Sequence, residues 1–159
     1  MPNAALATTG SVLTATEYNY LPRGVLARSA NVTSQFTTSS THTTFQDVTG
    51  YSISTTYFAS RILRVTVQVN PYPSGGTNNV SYKLVRGSTD LASFDIPAEA
   101  MSTTFAHSMT LSHTFSGPST GATETFKLQM RANSTNTAVA NFASSTLIGL
   151  IVIEDLGAQ

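Results

Sequence analysis

Cysteine and tryptophan are absent from this chain of 159 residues, lysine occurs only at Lys83 and Lys127, and charge of either sign is scarce. Without cysteine there is no disulfide framework, no thiolate metal site and no cysteine nucleophile, so stability must come from burial or from association. The 8 Lys and Arg balance 8 Asp and Glu, and charged residues make up 10% of the chain, where an average soluble domain has about 25%. Phosphate contacts need clustered Lys and Arg, so nucleic acid is not an expected partner. Long apolar runs are missing as well. The most apolar stretch, 147–153, is far shorter than the roughly 20 residues of a membrane-crossing helix, and no membrane association is expected. The first residues have neither a basic flank nor an apolar run, so no secretory signal is expected.

What is present is hydroxyl. Ser and Thr supply 46 residues, and the solvated surface must be built largely from them. With 40% hydrophobic residues in regular alternation, including 6 Tyr and 8 Phe, the chain reads as folded rather than disordered. Its length suits one domain of ordinary size, or one domain with an arm.

Period-two patterning dominates after residue 24, and no window there carries a helical stripe. Tyr51, Ile53, Thr55 and Tyr57 share one face, with Ser52, Ser54 and Thr56 on the other. Leu63, Val65, Val67 and Val69 alternate with Arg64, Thr66 and Gln68. The segment 70–76 reads as a turn, because its prolines deny ladder donors and its glycines permit positive φ. Further strands are expected over 80–84, 91–96, 104–115, 125–131, 138–142 and 146–154. The spacing predicts an all-β fold, an antiparallel jelly-roll-like β-sandwich of about eight or nine strands over 24–159. Residues 1–23 differ. Thr14 and Glu17 match a capping box, and Pro22 and Gly24 stop the helix, giving an N-terminal arm with one short helix. Val12, Leu13, Tyr18 and Leu21 are its candidate docking residues, since so short a helix needs something to lie against.

A search for chemistry finds little. His42, His107 and His113 are the histidines. The last two share the strand face of Phe105, Met109, Leu111 and Phe115, either bonded within a core or stacked at a subunit interface. No carboxylate lies near them on that face to complete a metal site. Glu154 and Asp155 are adjacent on a strand and point to opposite faces, so they cannot act as a paired acid and base. No frame activates a hydroxyl, and Gly75-Gly76 lacks the Lys and helix of a phosphate loop. No catalytic, cofactor-binding or metal-binding residue is assigned, and the chain is not expected to be an enzyme. A weakly charged hydroxyl surface suits protein assembly or carbohydrate recognition. For sugar binding the candidate aromatic platforms are Tyr72, Tyr18 and Tyr20, each of which also suits packing.

Gly24-Val25-Leu26-Ala27-Arg28-Ser29-Ala30-Asn31, Asp47-Val48-Thr49-Gly50, Arg61-Ile62-Leu63-Arg64-Val65-Thr66-Val67 and the closing Leu150-Ile151-Val152-Ile153-Glu154-Asp155-Leu156-Gly157 together resemble small β-sandwich virion proteins of tailed bacteriophages. Gly10 to Ala15 with Asn19-Tyr20-Leu21 resembles the arm that precedes that domain. The resemblance implies a homotrimer with a jelly roll similar to the tumour necrosis factor and complement globular-head domains. It implies that apolar and aromatic residues meet at the threefold axis, for which Phe105, His107, Met109, Leu111, His113, Leu150 and Val152 are the candidates. The partners are then further copies and the major capsid protein or another virion protein, on the surface of a virion assembled in the host cytoplasm. A head decoration protein is the first expectation, with the arm clamping capsid subunits. A tail fibre, receptor-binding or minor tail protein is the alternative, and 159 residues without heptads or repeats hold no fibre shaft. A carbohydrate-binding module is the reading from another class.

Overall fold

A computed structural model describes residues 22–38, 44–74, 79–97, 108–117, 122–132, 138–141 and 146–158. The predicted arm, its helix and Val12, Leu13, Tyr18 and Leu21 lie outside the described residues.

Every regular element among the described residues is a strand: β1 (Gly24–Arg28), β2 (Phe36–Thr37), β3 (Gln46–Tyr57), β4 (Arg61–Val69), β5 (Pro71–Ser74), β6 (Val80–Arg86), β7 (Thr89–Ile96), β8 (Met109–Ser116), β9 (Ala122–Ala132), β10 (Ala138–Asn141) and β11 (Leu150–Ala158). All pairings are antiparallel. One sheet runs β1-β11-β4-β8 and the facing sheet β3-β9-β6-β7. Setting aside β2, β5 and β10 and counting the other eight in chain order, these sheets read 1-8-3-6 and 2-7-4-5. That wiring, with the first strand beside the last, is the double Greek key of the jelly roll. The three short strands form their own sheet, β2-β10-β5, drawn from three connections at one end of the sandwich.

This small sheet revises the turn expected over 70–76. Pro71 to Ser74 pairs with β10, and β5 lies on the edge, where a proline that cannot donate costs no ladder bond.

Alternation builds the core. Leu63, Val65, Val67 and Val69 of β4 face Tyr82 and Leu84 of β6 and Phe126, Leu128 and Met130 of β9 in one cluster, all at most 1% exposed. Full burial of such an aliphatic side chain is worth about 1.5–3 kcal/mol. In β3, Gly50 takes φ 86 at a register shift, and the methyls of Val32 lie 3.0 and 3.1 Å from where its Cβ would be. Any side chain there is strained and crowded.

Polar groups close the two ends differently. Beneath the small sheet, buried Asn141 accepts at Oδ1 from the Asn70 backbone N–H (3.0 Å) and the Tyr82 hydroxyl (3.1 Å). Its Nδ2 donates to the Tyr51 hydroxyl (3.0 Å), which donates to the Gln68 carbonyl (3.0 Å). At the far end Arg61 and Asp155, 3% and 1% exposed, form a bidentate ion pair, with Nη2 to Oδ1 at 2.7 Å and Nε to Oδ2 at 2.9 Å. There too, the Tyr57 hydroxyl donates to Glu124, which pairs with Arg86 Nε at 3.3 Å.

Burial, and then the Glu124 carboxylate it bonds, push the Tyr57 phenol up from 10.0 to about 12. The neutral phenol is thus favoured by folding, so its contribution is complete below pH 10 and is lost as pH rises to about 12. Burial raises Tyr51 and Tyr82 in the same direction. Denaturant unfolding followed between pH 9 and about 12 is expected to show falling stability, and Tyr57→Phe a shallower fall. An identical slope in the two proteins would remove Tyr57 from the account.

Candidate assembly surface

The cross-strand register turns the outer face of the β1-β11-β4-β8 sheet into a grid. Leu150, Gln68 and Thr110 make one row, Val152, Thr66 and Ser112 the next, and Glu154, Arg64 and Thr114 the third. Neighbouring strands lie about 4.8 Å apart, and alternate residues along a strand about 6.8 Å apart. Leu150, Val152, Thr66 and Gln68 are half-buried, while the β8 hydroxyls are exposed. Gln68 Nε2 donates to Ser108 Oγ at 2.8 Å, and Thr66 meets Ser112 at 3.5 Å. The grid's charges, Arg64 and Glu154, bond to each other at 2.9 Å. Arg28, beside Val152, donates to Asn31 Oδ1 at 2.7 Å. The result is an aliphatic column on β11 flanked by hydroxyls, with little free charge.

The opposite outer face is different. On it Lys127 Nζ and Gln129 Nε2 both donate to Asp47 at 2.7 Å. Lys83 bonds Asp90 at 3.1 Å, and Lys83 and Arg131 lie 4.5 and 4.7 Å from the Phe45 ring centre. Hydroxyl pairs Ser54–Thr125 (2.7 Å) and Thr56–Thr123 (2.5 Å) continue it. The Lys127 and Gln129 bonds hold the Asp47 carboxyl below its ordinary 3.8. Its contribution is therefore present above that pH and lost as pH falls through the lower folded value. This face is held by its own ion pairs.

The residues named for a threefold contact divide between two surfaces. Met109, Leu111 and His113 stand opposite Val69, Val67 and Val65, on the core side. Leu111 is buried, Met109 packs on the core, and the His113 ring stacks on Phe115 at 6.4 Å. Phe115 in turn meets Phe126 of the facing sheet at 5.7 Å. Leu150 and Val152 share rows with Thr110 and Ser112, so they point out of the sandwich. Phe105 and His107 lie outside the described residues. The core-side trio and the outward pair therefore cannot line one contact. The closing strand β11 is buried by its own chain on one face, through Ile151 and Ile153, and half-buried on the other.

Glu154 and Asp155 do part to opposite faces, one to Arg64 and the other to Arg61. The Arg61–Asp155 pair was not readable beforehand, since 94 residues separate its members. Among the described residues no three His, Cys, Asp or Glu side chains gather as metal ligands, and no helix is long and apolar enough to cross a membrane.

The wiring defines a jelly-roll β-sandwich, an architecture found among viral capsid and lectin domains. No protein-family model and no curated protein sequence matches the chain. Among solved structures it is similar to a chain of the infectious bursal disease virus Gt strain, at 12% identity and a TM-score of 0.44, over 87% of this chain and 38% of that one. It is also similar to the infectious bursal disease virus VP2 subviral particle, at 12% identity and a TM-score of 0.39, over 86% and 38%. A family 35 carbohydrate-binding module from an environmental isolate matches at 15% identity and a TM-score of 0.34, over 86% and 91%. The chain thus spans well under half the length of the two virus chains. The strand order, not these likenesses, carries the fold assignment.

Proposed function

We propose that the chain is a non-enzymatic structural protein of a bacteriophage virion, a homotrimeric head decoration protein on the capsid surface. The observation that carries this reading is the contrast between the two outer faces of the jelly roll. One is satisfied by its own ion pairs, whereas the other sets Leu150 and Val152 among hydroxyls with scarcely any free charge. Such a face gains by being covered along the Leu150 and Val152 column: apolar surface leaves water, while Arg64 and Glu154 are already paired and Arg28 stands at the β1 edge. A net charge of zero adds no long-range repulsion between copies. The resemblance of 24–31, 61–67 and 150–157 to tailed-phage virion proteins supplies the setting.

The tail-fibre alternative shares the trimer and differs in location, which a reconstruction of the particle decides. Density for this chain on the head lattice supports decoration, and density confined to the tail tip sinks it. A carbohydrate-binding role would use exposed rings. Among the residues whose side chains are described the large exposed ring is that of Phe58, and Arg23 lies 4.2 Å over it; Tyr18, Tyr20 and the Tyr72 side chain lie outside them. Glycan-array binding would favour that role. Val152→Glu tests the assembly face directly. Arg28 across the strand pair can accommodate the carboxylate in a free subunit, but a covering subunit cannot. Light scattering is expected to show loss of the threefold assembly with the β-sheet circular dichroism unchanged, and a threefold assembly that persists would exclude this face as the contact.

A further inference from the structure

Each large sheet has two edges, and the four are not alike. β1 is five residues long and slips register between Val25 and Ala27. β3 carries Asp47 and a register shift between Asp47 and Ser52. β7 carries Asp90 and Asp95, and its register with β6 shifts between Leu84 and Val85. Shortness, bulges and charge are the devices by which a sheet edge resists pairing with another chain. β8 has none of them. Its eight residues, MTLSHTFS, contain no Lys, Arg, Asp, Glu, Pro or Gly. They pair with β4 without a slip from Ile62–Ser116 to Val69–Met109. Among the described residues no strand pairs with the other side of β8.

We propose that this edge is the docking site for β8 of a second copy. The two strands pair antiparallel about a twofold axis normal to the sheet, so that two four-stranded sheets become one of eight. Self-complementarity favours a second copy over a foreign peptide. With Ser112 opposite Ser112 of the second copy, Thr110 faces Thr114, Leu111 faces His113 and Met109 faces Phe115. Hydroxyls meet hydroxyls on the outer face, and apolar or aromatic groups meet on the core face. A slip by one residue would set Leu111 against Ser112 and turn the second copy over, placing its apolar register in water. The contact is distinct from the outer-face trimer contact and would join neighbouring trimers.

The test uses the full chain in the Val152→Glu background, which removes the trimer contact, so that failure of the trimer reading and failure of the edge are read separately. Light scattering at micromolar concentration is expected to give the mass of two chains. Adding Ser112→Lys or Ser112→Glu puts like charges face to face on the axis, and each double variant is expected at the mass of one chain. An equal mixture of the two is expected to return to two chains, because Lys then faces Glu. A lysine that merely damaged the strand would leave the mixture monomeric, and that result overturns the proposal. So does a V152E protein that is monomeric, or a dimer indifferent to charge at 112. Amide exchange along Met109–Ser116 is expected to be slower in V152E than in either double variant, and equal rates count against the edge.

Discussion

Replacing Asp155 with alanine is expected to cost about 3–5 kcal/mol of stability, the usual penalty for stranding one member of a buried ion pair. At about 2–4 °C per kcal/mol for a chain of this size, the melting temperature falls by about 6–20 °C. Arg61 is 3% exposed and meets Asp155 through two nitrogens, so removing the carboxylate leaves its charge in a site that water does not reach. Asp155 Oδ1 also accepts the Gly157 backbone N–H at 2.9 Å, and alanine leaves that donor without its acceptor. Asp155→Asn keeps an oxygen for Gly157 but not the charge, and is expected to be little better.

The pair is nevertheless weak as a source of stability, because ionising both groups in the interior is itself costly. Arg61→Met with Asp155→Leu is expected to restore stability to near that of the parent or above it, by up to about 4 kcal/mol. What the pair supplies is register. It ties the first residue of β4 to the sixth of β11, next to the bulge between Asp155 and Gly157. Urea unfolding of the single and double variants checks both statements. A single variant as stable as the parent would mean that Arg61 is satisfied without Asp155.

Much of the sandwich was legible because alternation is a property of one strand at a time. The faces of Tyr51 to Tyr57, Leu63 to Val69 and Phe126 to Met130 follow from side chains that point to opposite sides at successive residues. Facing between strands is not encoded that way. Met109, Leu111 and His113 have an apolar register, and so do Leu150 and Val152, yet β4 aligns Gln68 with both Leu150 and Thr110. That alignment turns the two sets in opposite directions, and it is visible only once the strands are paired. The same limit hid Arg61 as the partner of Asp155. Pro71 and Pro73 concealed β5 for another reason, since proline argues against a central strand but says nothing against an edge. Glu154 and Asp155 were readable, because adjacency on one strand already parts them.

Gly149→Ala is expected to be the most damaging single methyl that the described residues admit. A Cβ on Gly149 would lie 1.6 Å from the Tyr51 hydroxyl oxygen and 2.5 Å from its Cζ, inside any van der Waals contact. Neither group is free to retreat. Gly149 is fixed to Val32 in both directions, N–H to carbonyl at 3.0 and 2.7 Å. Tyr51 is fully buried and held between the Gln68 carbonyl and Asn141. Overpacking a tight core costs about 1–3 kcal/mol or more. Expelling the hydroxyl also leaves buried Asn141 Nδ2 without the oxygen it donates to, a further penalty of about 1–3 kcal/mol. The sum is a large share of the roughly 5–15 kcal/mol that holds an ordinary domain together. The variant is expected to accumulate as insoluble chain or to melt about 4–24 °C below the parent. Tyr51→Phe removes the atom in closest conflict but not Cζ, so in the double variant it is expected to return part of the loss, although alone it is destabilising. That reversal of sign is the signature of direct contact in a double-mutant cycle. Additive losses, or a soluble Gly149→Ala protein melting with the parent, would show that Tyr51 does not lie against Gly149.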